Sequence, residues 1–406
     1  MSTSLLYQVF GIRGYKYTRT DYQGGQTIFT IRQDPKTCRC SSCGSRQVVS
    51  RGRVERHFRS LPIGSRATTV VLPIPRVACR ARGAVRQAEV PFADPRRSYT
   101  RAFERYALEL SRRMTIRDVA RHLGVSWDVI KDIQKRDLSR RFAKPKPKLK
   151  HLRHIAIDEI AVAKGHRYLT VVMDLDSGAV VFVGDGKGAD ALKPFWKRLR
   201  PSGAKIEAVA MDMSAAYRGA VSTDLPKAKI VFDHFHVIKL FNDKLSDLRR
   251  ALHREATDVM HKDVLKGTRW LLLKNPENLD LEKDEKGRLE EALALNKPLA
   301  TAYYLKEDLR RFWEQPGKRF ATALLDGWLR RAEASGIKML QQMAKTLAAH
   351  RSGLLAYYDV MITSGPMEGT NNKIKTMKRQ AYGFRDKEFF KLKILAIHET
   401  KYALIG

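Results

Sequence analysis

The chain has 406 residues, enough for two or three domains, and its 43% apolar content can fill real cores, which excludes disorder as the bulk state. Its 77 Lys and Arg against 43 Asp and Glu leave a formal charge of +34, more than solubility needs; a phosphate backbone is the partner such a field most often serves, because each neutralised phosphate releases condensed counterions. No stretch of about 18 apolar residues appears, and MSTSLLYQVFGIRGY has no apolar run between a basic start and a small-residue cleavage site, so the expectation is a soluble intracellular protein with no membrane partner.

Residues 1–95 read as a β-rich, turn-rich module, with strand-like runs at Gln26 to Arg32 and Ala67 to Pro73. Cys38, Cys40, Cys43 and Cys79 all fall in it, and that clustering favours a local metal site or reduced thiols over a disulfide framework. Hydrophobic spacing then changes to a helical period. Residues 96–142 fit a helix-turn-helix built from three short helices, the second starting at Thr115 with Asp118 at the capping-box spacing. Ile116, Val119, Ala120 and Leu123 form its buried stripe, Gly124 makes the turn, and Ser126 opens a third helix with Val129, Ile130 and Ile133 inward. Trp127, Lys131, Gln134 and Lys135 are then expected outward, free to enter a major groove; the plainer reading is an ordinary helical hairpin.

Residues 143–152 form a basic linker in which Pro145 and Pro147 block helix and the cations repel one another. From 153 to 236 strand and helix signals alternate: HIAIDEIAVA, HRYLTVVMDLD and AVVFVG joined by tight turns, then helix, IEAVAMDM, helix and KIVFDHF. Three such strands followed by helix, strand, helix, strand predict a mixed sheet with helices packed on it, the order of a ribonuclease-H-like fold. Residues 237–358 are almost wholly helical and read as an insertion, after which 359–406 returns as the helical close of the core. The fold class is therefore multidomain α+β.

The chemistry rests on three acids. Asp158 on the first strand and Asp212 after the fourth would lie side by side if those strands are neighbours, and Glu368 would arrive on the returning helix, marked by Gly365 and Pro366. Carboxylate oxygens suit Mg²⁺, or Mn²⁺, and phosphodiester attack without a covalent intermediate uses two such ions. Glu368, Asn372, Lys375 and Arg379 recur at helical spacing, so that Lys375 and Arg379 could grip phosphates. Each acid alone has a plain structural reading; Asp174 and Asp176 sit at a hairpin turn, where Asp is common for local hydrogen bonds. Only the joint placement of the three singles them out.

These segments resemble the DDE-type bacterial insertion-sequence transposases of the ISL-three family: IAIDEIAVAKGHRYLTVVMDLDSG, VAMDMSAAYRGA, LPKAKIVFDHFHVIKL, LKGTRWLLLKNPENL and MEGTNNKIKTMKRQAYGFRDKEFFKLKIL. The resemblance implies a catalytic triad at Asp158, Asp212 and Glu368, and a Mg²⁺-dependent cut at the ends of a mobile element that frees a 3′-hydroxyl to attack target DNA. Its partners would be double-stranded DNA, as terminal inverted repeats and target, with at least two protomers to pair two ends, in the bacterial cytoplasm and on the nucleoid through DNA. Asp233 and His236 in FDHFHV look like the Asp-x-x-His signature of the wider superfamily; Asp233 rivals Asp212 as second ligand and His236 would support. The plain reading of that pair is a hydrogen bond joining strand to helix. Arg385, in the GFR segment, joins the phosphate contacts. The cysteines resemble the family's zinc-finger module, with two Cys-x-x-Cys knuckles expected. Here Cys40 and Cys43 make one, but Cys79 is followed by Arg80, Ala81 and Arg82, so a ligand is missing. Cys38 or His57 could complete a site on Cys40, Cys43 and Cys79; the alternative is a metal-free fold. Two rival functions are a non-enzymatic DNA-binding regulator descended from a transposase and a structure-selective Mg²⁺ nuclease that cuts without joining.

Overall fold

Side chains that alternate in burial, with a continuous buried run at Val70 to Leu72, build the first sheet. In Gln26–Gln33 (β2) Thr27, Phe29 and Ile31 face inward, and in Arg66–Cys79 (β4) Val70, Leu72 and Ile74 do so. With Tyr15–Gln23 (β1), Val48–Ile63 (β3) and Val85–Gln87 (β5), the order is β1-β2-β4-β3, with β5 also on β4. Strands β3 and β4 form a long antiparallel ribbon, while β2 and β4 run parallel. Phe58 and Phe92 meet edge-on at 5.3 Å in this core, which also takes Phe10 and Ile12 from beside the one-turn helix Leu5–Gln8 (α1). The computed structural model describes residues 5–142, 149–163, 165, 167–257 and 259–398. Of the basic linker, Lys144, Pro145, Lys146, Pro147 and Lys148 lie outside the described residues.

Three helices follow: Arg101–Leu110 (α2), Ile116–Leu123 (α3) and Trp127–Phe142 (α4). The capping box is present: Thr115 Oγ1 accepts the Asp118 N–H at 3.1 Å and donates to Asp118 Oδ2 at 2.6 Å. Gly124 closes α3 at φ +61°, with Val125 N–H on the Ala120 carbonyl at 3.0 Å, a glycine-capped helix end. Val119, Ala120, Leu123, Ile130 and Ile133 are buried, as their spacing predicts.

A second unit, residues 145–375, is distinct from the first, which comprises 1–144 together with 376–406. Its sheet holds His154–Ala163 (β6), Arg167–Asp174 (β7), Val180–Asp185 (β8), Ala208–Met211 (β9) and Lys229–Phe232 (β10) in the order β10-β9-β6-β7-β8. β6, β7 and β8 are an antiparallel meander; β9 pairs parallel with β6, and β10 parallel with β9. Asp174 accepts from the Asp176 N–H at 3.2 Å in the β7–β8 turn, the local role expected of it. Ala189–Leu199 (α5) turns Ala191, Leu192, Phe195, Trp196 and Leu199 into the core, and Ala215–Asp224 (α6) joins β9 to β10.

His234–Glu255 (α7) leads into the helical insertion: Val259–Gly267 (α8), Arg269–Leu273 (α9), Glu285–Leu295 (α10), Lys297–Arg310 (α11), Lys318–Ala334 (α12), Lys338–Ala349 (α13), Arg351–Leu355 (α14) and Tyr357–Val360 (α15). Its centre is the fully buried Trp328, whose indole N–H reaches the Leu305 carbonyl at 2.7 Å. Gly353 on α14 lies flat on Phe232 of β10; a Cβ there would fall 2.3 Å from the ring. Gly365–Gln380 (α16) and Lys387–Leu395 (α17) follow. The segment 359–406, expected to return whole to the core, is divided, because residues from Thr376 onward group with the first unit, where α17 packs on α4. Among the described residues no helix is long and apolar enough to cross a membrane.

Candidate active site

Strand register brings three carboxylates to one level. Ile157 on β6 pairs with Met211 on β9, which pairs with Phe232 on β10, so the residues that follow, Asp158 midway along β6 and Asp212 and Asp233 just past the ends of β9 and β10, come at one level of the sheet. β6, which carries Asp158, and β9, which Asp212 follows, are neighbours, the condition that the sequence reading set. Asp158 Oδ1 accepts the Glu159 N–H at 2.8 Å, and Asp212 Oδ1 accepts the Ser214 N–H at 3.0 Å. Asp233 caps α7, and its Oδ2 is 2.8 Å from His236 Nδ1.

Burial pushes the Asp158 carboxyl up; His236 and the Glu159 N–H oppose the rise, while Asp212 and Asp233 add to it. Burial alone would also raise Asp233, but bonds from His236 and Ser364 and the His236 charge together hold it below the usual carboxylate range. The Asp233 bond lifts His236 above the ordinary imidazole value, against burial, and Asp158 and Asp212 lift it further. Three acids thus act on His236, each favouring its charged form.

α16 presents a buried face of Met367, Thr370, Asn371, Ile374 and Met377. Asn371 Nδ2 donates to Asp158 Oδ2 at 2.6 Å. Glu368, half-buried, sits three residues before Asn371, one turn along the helix. The face read from spacing as Glu368, Asn372, Lys375 and Arg379 is mostly the solvent side, since Asn372, Lys375 and Arg379 are exposed. The amide that meets the acids is Asn371, and Ser364 is the other group missed. Ser364 lies far along the chain from Asp233, so nothing local signals their bond; the Asn pair was visible, but not which of the two turns inward.

Asp158, Asp212 and Asp233 offer hard carboxylate oxygens, and a carboxyl pushed up first by burial and then by neighbouring acids is what a divalent cation would relieve, so these residues fit Mg²⁺. Asp158, Asp212 and Glu368 do not, among the described residues, close to the mutual spacing of a ligand group. Asn371 already takes one Asp158 oxygen.

The cysteines do close. Sγ atoms of Cys40, Cys43 and Cys79 lie within 4.8 Å of one another, with Cys43 and Cys79 at 3.6 Å. Two turns of the same build carry them. Cys40 N–H bonds Ser45 O at 2.9 Å and Gly44 N–H bonds Cys40 O at 2.8 Å; Cys79 N–H bonds Ala84 O at 3.1 Å and Gly83 N–H bonds Cys79 O at 2.8 Å. Arg82 therefore stands where Cys43 stands in the first knuckle. Backbone N–H groups of Ser42 and Cys43 lower the Cys40 thiol to about 7, while burial raises Cys79. Neither reserve ligand completes the site: Cys38 is packed in the apolar core with its thiol toward the Asp34 carbonyl at 3.8 Å, and the exposed His57 is bonded to Glu55 at 3.1 Å. Three thiolates fit zinc, and the fourth position has no donor from Arg82.

On α4 Trp127 is exposed, with Lys131 Nζ 5.6 Å from its ring centre. Gln134, expected outward, is 5% exposed and faces the interior. Lys131 and Lys135 are both engaged, at 3.2 and 2.8 Å, by Asp386 at the start of α17. The outward set read from the helical period is thus changed by a segment about 250 residues on, which no local pattern announces. Arg385 is exposed.

The ISL3-family model described as a transposase matches residues 155–394. The helix-turn-helix domain of transposase family ISL3 matches residues 88–137, and the zinc-finger of the IS204/IS1001/IS1096/IS1165 transposases matches residues 36–81. The transposase for insertion sequence element IS1001 of Bordetella parapertussis is 32% identical over 402 residues, 98% of each chain. That for IS1557 of Mycobacterium tuberculosis is 29% identical over 392 residues, 89% of this chain and 86% of its own. The solved Drosophila P element transposase strand transfer complex is similar at a TM-score of 0.38 and 12% identity, over 66% of this chain and 81% of that one. The chain belongs to the ISL3 family of insertion-sequence transposases.

Proposed function

We propose that this transposase binds the terminal inverted repeats of its element, cleaves there and joins the freed 3′-hydroxyls to target DNA, with Mg²⁺ chemistry at Asp158, Asp212 and Glu368 on a ribonuclease-H-like core. The observation that carries this reading is the shared register that brings Asp158 of β6 level with Asp212 and Asp233, which follow β9 and β10. When bound, paired Mg²⁺ ions would activate the attacking oxygen and stabilise the leaving one. Asp158 and Asp212 would hold them, and Asn371 fixes the Asp158 carboxylate. Glu368 would supply a further oxygen by a small approach of α16. Asp233 orients His236 through its Nδ1, leaving the imidazole's other nitrogen to meet a phosphate oxygen or a water. Lys375, Arg379 and Arg385 would hold the strands, and Trp127 would add readout from α4. Pairing two element ends would take at least two protomers.

The test is cleavage and joining on the element's own ends. Asp158→Asn and Asp212→Asn should each lose about a hundredfold or more in strand cleavage, the loss of several kcal/mol of charge stabilisation, with DNA binding retained. Mg²⁺ should raise the melting temperature of the wild type but not of Asp158→Asn. An Asp212→Asn variant at full rate beside a dead Asp233→Asn would move the second ligand to Asp233. Cleavage without strand-transfer products would make the enzyme a nuclease, and binding without cleavage a regulator.

A further inference from the structure

The turn between α16 and α17 carries an aromatic ring in a place where the fold pays for it. Two helix ends in the first unit close by the same pair of bonds. At α3 the Gly124 N–H reaches Arg121 O and the Val125 N–H reaches Ala120 O; at α16 the Tyr382 N–H reaches Arg379 O at 3.0 Å and the Gly383 N–H reaches Lys378 O at 2.9 Å. The first residue of that closure must be left-handed, and α3 uses a glycine there. α16 uses Tyr382, at φ +51°, although a bulky side chain is strained in that conformation. Packing does not explain the choice, because Tyr382 is 100% exposed.

The turn is nevertheless braced on both sides. Phe384 turns inward and stacks on Phe390 at 4.5 Å, and Asp386 is held by Lys131 and Lys135. Within five residues of Tyr382 in the chain come Lys378, Arg379, Arg385 and Lys387, none in an ion pair with a described residue, whereas the acids of the same stretch are both taken, Asp386 by α4 and Glu388 by Lys391 at 2.8 Å. A solvent-facing ring on a braced turn, in a stretch of unpaired cations, fits a nucleic acid base whose face is open and whose phosphates lie close by. Inside a duplex both faces of each base are covered by its neighbours, so the base must be unpaired or extruded.

We propose that Tyr382 is a stacking platform for an unpaired DNA base. This rests on the DNA-processing reading above. The experiment compares the full chain's affinity for a short mixed-sequence single strand with that for a long duplex. Tyr382→Ala should weaken single-strand binding by about 10-fold, within the range measured for base–aromatic stacking, and leave duplex binding close to wild type. Tyr382→Phe and Tyr382→Trp should keep the single-strand affinity, while Lys378→Ala weakens both forms alike. Tyr382→Gly should bind single strands as poorly as the alanine variant and yet melt higher than wild type, because it removes the strained backbone; a structural role for the ring would lower both. Wild-type binding to single strands that Tyr382→Ala leaves unchanged overturns the inference and spares the reading beneath it. A wild-type chain that binds neither form of DNA overturns both.

Discussion

At the scale of single residues, function in this chain turns on which neighbour a charged or thiol group meets. Asp158 is half-buried near other acids and accepts a bond from one amide, and burial followed by those acids pushes its carboxyl up, which a bound cation would offset. Arg82 is the opposite case, a cation in a turn whose twin carries a thiolate. Since the two turns share their backbone bonds, Arg82→Cys should complete four thiolates without moving the chain. The expected outcome is one zinc per chain by elemental analysis, tighter retention against a chelator, and a higher melting temperature. A variant that purifies free of zinc and melts with the wild type would show that the turns are not equivalent. That Asp158, Asp212 and Asp233 sit in or just after strands was legible from the apolar runs beside them, while which strands are neighbours was not, because such runs mark strands and not their pairing. Asn371 was not, since the face that a helix buries is decided by what it packs on.

At the scale of elements, the contact to weigh is α17 on α4. Asp386 accepts the Phe389 N–H at 3.0 Å as the cap of α17 while it pairs with two lysines, and the Lys135 bond, ahead of its burial, lowers its carboxyl to about 2. A depressed folded value gives stability that is present above the ordinary carboxylate range and is lost as pH falls through about 2. Asp386→Asn keeps a good capping side chain and removes the charge. It should therefore cost about 1 kcal/mol at neutral pH, for a partly exposed pair, with the difference from wild type vanishing in acid; equal melting curves at neutral pH would deny the clamp any weight. In the second unit, Gly353→Ala should cost about 1–3 kcal/mol by overpacking, read by thermal denaturation. The Cβ meets Phe232, next to Asp233, so cleavage should fall with it. The helix starts, the Gly124 turn and the five apolar positions of α5 were all readable from local spacing. The ribbon of β3 was not, because VVSRGRVERHF alternates too weakly to reveal a strand whose partner β4 carries the apolar load.

At the scale of the whole molecule the governing quantity is charge. A formal +34 predicts that DNA affinity falls by about a thousandfold or more between roughly 50 and 200 mM salt. A shallow slope in a filter-binding titration would mean that most of these cations never face phosphate. The alternation of strands and the switch to helix made the broad division of the chain legible. What stayed hidden was that residues 376–406 belong with 1–144, since association across so long a gap leaves no mark in either segment alone. That gap has a consequence for biosynthesis. The ribosome makes α4 early and α17 late, so during most of translation Lys131 and Lys135 emerge without their counter-charge, and the nascent polypeptide is more cationic at this surface than the finished one.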